Sequence, residues 1–322
     1  MEESLEGTSR LTAGVACLGC RAPHAFDASE EREWLACLAT RGYGVIRSVA
    51  PSPDAVSSAQ SQVWDHLEAQ SRGTLLRGDI DTWDKHWPVQ NCGICWTAGQ
   101  SQAMWSMRGW AKVQQVFAAV WGMDELVTSF DGFIVWRPWC DKEAWKPKTS
   151  RLHLDQNPWY KEGKLCVQGM VQLCDSSARV GGLQVVEGSH LENMAIRDKN
   201  PQWKASSSDW CETREGDPLN DRAHLVLANK GDMILWDSRT VHGGVVGDVG
   251  SACSDTGLAR MVGCVCMLPR ERCTSDVLAR RLAGFKKGVT CNHWADEYHA
   301  SGYASSHDYS PPDLSEETTR LI

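Results

Sequence analysis

A mainly β architecture of the jelly-roll type, flanked by helices, is what the sequence predicts, on three observations. From residue 127 onward, seven short apolar segments are punctuated by Gly, Asn-Lys-Gly and Asp-Ser-Ser turns, the pattern of a sandwich or barrel. Before residue 124, apolar residues recur at helical spacing. One His-x-Asp triplet, His153-Leu154-Asp155, lies in the second segment, and His242 lies at the end of the sixth.

In chain order, Asp27-x-x-Glu30 reads as a capping box opening a helix that buries Trp34, Leu35 and Leu38 and stops near Gly42. A strand is expected over 43–49. The next helix starts with Ser52 as cap and Pro53 in the first turn, and carries Val56, Val63, Trp64 and Leu67. Residues 78–97 hold Trp83, Trp87 and Trp96 without periodicity, so a long loop is expected there, as an ordered cover over the barrel mouth. One helix over 100–121 follows, with Met104, Val113, Phe117 and Val120 facing the sheet. Strands are then expected over 127–137, 151–155, 165–173, 183–186, 224–227, 233–242 and 260–268. A basic helix over 270–287 and a polar stretch from Ser301 to Ile322 complete the chain.

Side chains at i and i+2 of a strand point to one side, whereas on a helix they diverge. His153 and Asp155 therefore converge on a single ion, with Asn157-Pro158 ending the strand just beyond them. His66-Leu67-Glu68 belongs to the helix from Pro53, so its pair diverges; His190-Leu191-Glu192 reads as the end of a strand. A jelly roll can bring His242 beside His153, and two histidines with one carboxylate are the donor set of non-haem iron(II) oxygenases, with three coordination positions left open. Arg260 opens the last strand on a face shared with Val262, Cys264, Cys266 and Leu268. A buried guanidinium there needs an anion, and its planar fork matches a carboxylate such as the distal one of 2-oxoglutarate.

Taken together, Gly181-Gly-Leu-Gln-Val-Val-Glu-Gly-Ser-His190, His153-Leu-Asp155 and Trp236-Asp-Ser-Arg-Thr-Val-His242 resemble the phytanoyl-CoA dioxygenase-like branch of the iron(II)/2-oxoglutarate oxygenases, over roughly residues 125 to 270. The resemblance implies a double-stranded β-helix (jelly roll, cupin-like). In it 2-oxoglutarate and O2 react at Fe(II) to give succinate, CO2 and an oxidant that removes a hydrogen atom from the substrate, with ascorbate as an accessory reductant. It implies His153, Asp155 and His242 as iron ligands and Arg260 as carboxylate anchor. The interval from His242 to Arg260 is longer than usual in the family, which leaves Arg239 and Arg151 as alternative anchors. Trp159 matches an aromatic that lines the pocket in relatives, and Gln156 and Asn157 leave the metal beside it, so these three are the expected substrate residues. Aspartate at position 155 fills the place that related halogenases open to halide, which disfavours halogenation.

Composition bounds the rest. The chain has 322 residues, of which 42% are hydrophobic and 23% charged, values ordinary for a globular protein. One oxygenase domain is expected over 29–295 (helical scaffold 29–124, jelly-roll core 125–270, C-terminal helix 271–295), between a flexible segment 1–28 and a tail 296–322. The tail is expected to dock near the site. No membrane span or secretory leader is expected, and 14 cysteines without a leader point to free thiols in the cytoplasm or nucleus. Arg10-Leu11 with Cys17-Leu18 comes near a peroxisomal address, with cysteine where histidine or glutamine is expected. The Cys17/Cys20 and Cys92/Cys95 pairs could together hold zinc, although neither sits in a zinc-ribbon context.

Of the 16 tryptophans, Trp34, Trp64, Trp105, Trp110 and Trp121 are expected in the core, and Trp83, Trp87, Trp139, Trp159 and Trp236 near the mouth, where indole suits a planar substrate. A net charge of −8 argues against nonspecific nucleic-acid binding. A small-molecule substrate is the first expectation. Oxidation of a nucleic-acid base or protein side chain is the second, and a non-catalytic metal-binding jelly roll is the reading from another class.

Overall fold

The computed structural model describes residues 20–21, 23–253, 255–304 and 309–322. Two sheets face each other. The larger runs Ala25–Phe26, Tyr43–Ile46, Met233–Asp237, Val167–Gln172, Arg260–Pro269, Leu126–Thr128, with Phe133–Trp136 also paired to the ten-residue Arg260–Pro269 strand. The smaller runs Cys20–Arg21, His224–Val226, Gly181–Val185, His242–Val246, His153–Leu154, Cys211–Glu212. Pairing is antiparallel except at the two N-terminal edge strands. Leu183, Val185 and Val226 of the smaller sheet share one apolar cluster with Tyr43, Met170, Ile234 and Val262 of the larger. This is the double-stranded β-helix.

Alternation along Arg260–Pro269 explains the layering. Val262 packs between the sheets, while Met261, Val265 and Met267 point the other way, into a cluster with Met104, Met107, Val113 and Phe117 of the helices. The helical layer forms as its sequence dictates. Ser52 Oγ accepts Ala55 N–H and Pro53 starts the Pro53–Gln70 helix. The helix Glu31–Arg41 ends at Gly42, whose φ of +81° closes the αL cap. Any side chain at Gly42 would also collide with Thr240 and His190. The capping box is half formed: Glu30 accepts the Asp27 N–H, but the Asp27 carboxylate takes Ser29 instead of the Glu30 N–H.

Four expectations are corrected. The helix over 100–121 is two, Gln102–Arg108 and Ala111–Trp121, because the chain breaks at Gly109-Trp110. His190 starts no strand end but a 3₁₀ turn, Ser189–Glu192. The strand over 127–137 breaks at Ser129–Gly132; Gly132 passes so close to the Cys95 carbonyl that a Cβ would strike it. The strand over 233–242 ends at Asp237, whose carboxylate accepts the Arg239 N–H in an Asx turn, and the chain crosses to the smaller sheet before His242 begins a new strand.

Both ends of the described chain join the fold. Cys20–Arg21 and Ala25–Phe26, expected as flexible, are edge strands. Leu321 and Ile322 are buried, and their carbonyls accept the Arg281 guanidinium. Arg10, Leu11, Cys17 and Leu18 lie outside the described residues, and the zinc expectation with them. Among the described residues no helix is long and apolar enough to cross a membrane.

Candidate active site

His153 and His242 sit opposite each other, as register partners on adjacent antiparallel strands of the smaller sheet. Asp155 lies one residue past the end of its strand, where its N–H donates to the Ser238 carbonyl, 3.2 Å. His153 Nε2 is 3.6 Å from Asp155 Oδ1, and His242 Nε2 is 3.3 Å from Asp155 Oδ2. All the candidate ligand atoms lie within 4.8 Å of one another, and no other such group occurs among the described residues.

The protonation pattern suits a metal. His153 Nδ1 donates to the Arg151 carbonyl at 2.8 Å and His242 Nδ1 to the Thr240 carbonyl at 2.9 Å. A carbonyl only accepts, so each Nδ1 carries a proton and each Nε2 is the ring nitrogen turned to where an ion would sit. Burial, and then the neighbouring His242, depress His153 to about 4. Burial opposes ionisation of Asp155, yet His153 and His242 hold its carboxyl well below the usual range. Gln168 Nε2 donates to Asp155 Oδ2 (3.0 Å) and to Ser238 Oγ (3.2 Å), which fixes the carboxylate. Two imidazoles presenting Nε2 and one carboxylate on one face fit Fe(II). The competing His66-x-Glu68 pair diverges as expected: His66 Nε2 meets Thr97, while Glu68 holds Arg77.

The three groups open onto a cavity of about 630 Å3. Arg260 lines it and is 8% exposed. Its guanidinium lies 4.6 Å over the Trp136 ring and Nη2 contacts Met170 Sδ, with no carboxylate within ion-pair distance among the described residues. Burial lowers it to about 10, so the cation persists at neutral pH. The alternative anchors are engaged elsewhere. Arg239 forms a two-pronged pair with Asp237, and the exposed Arg151 pairs with Glu212. Neither lines the cavity.

Gln156, Asn157 and Trp159 are corrected: none of them lines the cavity. Beyond Asp155 the chain dives under a neighbouring loop and spends their polar groups on it. Gln156 Nε2 donates to the carbonyls of Lys161 and Gly163, and Asn157 Nδ2 to those of Trp203, Ser206 and Ser208. Trp159 packs on Trp203 and Ile196 and donates to the Asn200 carbonyl. Trp159→Ala should therefore cost stability, about 2–3 kcal/mol, somewhat less than a fully buried tryptophan, while the ratio of succinate to oxidised product stays unchanged. Thermal unfolding and paired product assays check both.

What lines the cavity instead comes from loops and from the ends of two strands of the larger sheet. Trp210 stacks on His153 with ring centroids 4.0 Å apart and planes at 13°. Trp96, Trp136 and Trp236 add aromatic walls, and Asp131, His293 and His299 add polar ones. Of the five tryptophans expected near the mouth, Trp236 alone lines it. Trp83 and Trp87 pack with Trp64 and Trp145, and Trp139 packs on Trp136. Cys92, Ile94 and Trp96 do make the 78–97 loop a wall of the cavity. Among the lining residues not expected at the mouth, Asp131 carries a sequence signal, an Asp-Gly pair inside an apolar run; Trp210 and His293 sit in aperiodic stretches that carry none.

The family model described as phytanoyl-CoA dioxygenase (PhyH) matches residues 42–245. The chain belongs to the phytanoyl-CoA dioxygenase family. It is thus an enzyme of the 2-oxoglutarate-dependent non-haem iron class, with iron and 2-oxoglutarate as its cofactor and co-substrate. A curated relative, Ava biosynthesis cluster protein O of Aspergillus versicolor, is 29% identical over 67% of this chain and 71% of its own length. Among solved structures, the non-heme alpha ketoglutarate dependent carbocyclase SnoK from nogalamycin biosynthesis aligns with TM-score 0.47 at 17% identity, over 76% of this chain and 87% of SnoK. EctD from S. alaskensis, solved with 2-oxoglutarate and 5-hydroxyectoine, aligns with TM-score 0.47 at 17% identity, over 82% of this chain and 86% of EctD.

Proposed function

We propose that this family member oxidises a small organic molecule, hydroxylation being the simplest outcome, with His153, Asp155 and His242 holding iron and Arg260 receiving the distal carboxylate of 2-oxoglutarate. The observation that carries this reading is the meeting of that donor face and an unpaired buried guanidinium in one cavity. Iron(II) with 2-oxoglutarate and O2 supplies the oxidising power, with release of succinate and CO2. The chain's own residues bind and orient. Gln168 holds the Asp155 carboxylate in place, and the Arg260 fork sets the direction of the co-substrate. A cavity of about 630 Å3 is within the roughly 300–1,000 Å3 of small-molecule sites, which favours a small substrate over a folded protein or a duplex. The curated relative's name, which places that protein in a biosynthesis cluster, points the same way.

Trp210 is the residue that shields the donor face. Its ring covers His153 while remaining 45% exposed, on a loop tied by Asp209 to Lys161, and through Lys161 to Glu297 and His299. Trp210→Ala should admit water and raise succinate formation in the absence of substrate several-fold, as expected when an active site loses its cover, and Trp210→Phe should restore the low background. A background unchanged in both variants would show that Trp210 shields nothing.

The reading as a whole is tested by incubating the protein with iron(II), 2-oxoglutarate and a small-molecule library, following succinate and any product one oxygen heavier by mass spectrometry. Iron-dependent succinate with an oxygenated product is expected. Absence of both, with no measurable 2-oxoglutarate binding, would refute it.

A further inference from the structure

We propose that Asp131 is a cation-recognition group of the cavity, so that the substrate is a planar organic molecule carrying a protonated amine. This rests on the cavity being the substrate chamber proposed above. Asp131 lies in the break that splits the 127–137 run, at the point where Gly132 is pressed against the Cys95 carbonyl, and the break delivers its side chain to the cavity wall. No cation lies within ion-pair distance of its carboxylate among the described residues.

The groups around Asp131 offset its burial only in part: His293 and Arg108 favour the charged carboxylate through space, the Asp155 carboxylate opposes it, and neither cation pairs with it directly. Ser129 gives its carboxylate a hydrogen bond. Buried Arg108 spends Nη1 on the Gly99 carbonyl and Nη2 on the main-chain carbonyl of Asp131 itself, both at 2.7 Å. His293 faces it but has its Nε2 3.2 Å from the Asp155 carbonyl. Burial pushes the Asp131 carboxyl up to about 6, which still leaves it ionised at neutral pH. An enclosed carboxylate without a paired cation is costly. A ligand ammonium would add the direct ion pair that neither Arg108 nor His293 makes.

The remaining walls define the body of that ligand. Trp96, Trp136, Trp210 and Trp236 present indole rings to the same space, and such faces bind planar groups and favour nearby cations. Arg260, the cavity's buried cation, serves the anionic co-substrate in the reading above. The two charged poles therefore sort the two ligands by sign.

The test is equilibrium dialysis of the full chain, loaded with manganese(II) and 2-oxoglutarate, against tryptamine, 3-ethylindole and indole-3-propionate near neutral pH. Tryptamine should bind at least about tenfold more tightly than 3-ethylindole, the margin of a single favourable charge contact, and indole-3-propionate should bind most weakly. Asp131→Asn should erase the preference and Asp131→Glu should keep part of it. Equal binding of the three probes by the unmodified protein would overturn the proposal, as would a preference that survives Asp131→Asn. If Asp131→Asn does not fold, Asp131→Ser takes its place with the same expectation. Manganese and 2-oxoglutarate occupancy are read in the same samples. Their failure alongside an Asp131-dependent preference would sink the oxygenase reading and not this one, and the reverse pattern would sink this one alone.

Discussion

Asp155→Ala should abolish iron-dependent turnover and leave the fold standing. The carboxylate is the single anionic donor in the three-residue face, with oxygens 3.6 and 3.3 Å from the two imidazole nitrogens. Losing it should weaken metal binding by more than the roughly 10–100-fold typical of removing a group that merely supports a ligand. The fold does not depend on it. The inter-sheet cluster of Met170, Leu183, Val185 and Ile234 and the helix-to-sheet cluster around Met104 and Phe117 are apolar and metal-independent. Gln168, which loses Asp155 as an acceptor, still has Ser238 Oγ. Calorimetry of iron(II) binding without oxygen, beside a thermal melt, checks both halves. Unchanged metal affinity would remove the proposed centre.

Arg260→Ala should weaken 2-oxoglutarate binding by roughly 2–5 kcal/mol, on the order of 30- to several-thousand-fold in Kd, the range for truncating one member of a buried charged pair. Arg260→Lys should also be impaired. An ammonium cannot reproduce the two-pronged contact, and it forfeits the planar stacking over Trp136. Titration of 2-oxoglutarate into the manganese-loaded variants measures this. A variant that melts earlier but binds 2-oxoglutarate normally would reduce Arg260 to a packing residue on Trp136 and Met170. Because Arg239 is locked to Asp237 and Arg151 points to Glu212, a normal affinity would not simply transfer the role to either of them.

The donor face was legible because its physics is local. A strand repeats every two residues, so His153 and Asp155 could be placed on one side from their spacing alone, and their side chains do converge. His242 sits in a different element from the one its pattern suggests. Its alternation with Trp236 and Ser238 reads as one long strand, but the Asp237 carboxylate caps a turn that ends the strand and carries His242 into the opposite sheet. The periodicity of an apolar run does not register a turn made by one polar side chain.

The cavity wall follows a different logic. Gln156, Asn157 and Trp159 were placed by adjacency to Asp155, and adjacency fails at a turn, where the next residues leave the site to hold the Trp203–Ser208 carbonyls. The groups that replace them, Trp96, Asp131, Trp210 and His293, come from four loops far apart in the chain.

From the sequence by itself came the jelly-roll class, the helical layer, the convergence of His153 and Asp155 and the buried arginine, because each depends on a short-range repeat or on the cost of burying a charge. The tertiary structure alone decided which arginine is free to take an anion, which tryptophans face the cavity, and that Asp131 joins them. Those outcomes turn on which loops meet over the sheet, and loops meet through contacts between residues distant in sequence, which no local period encodes.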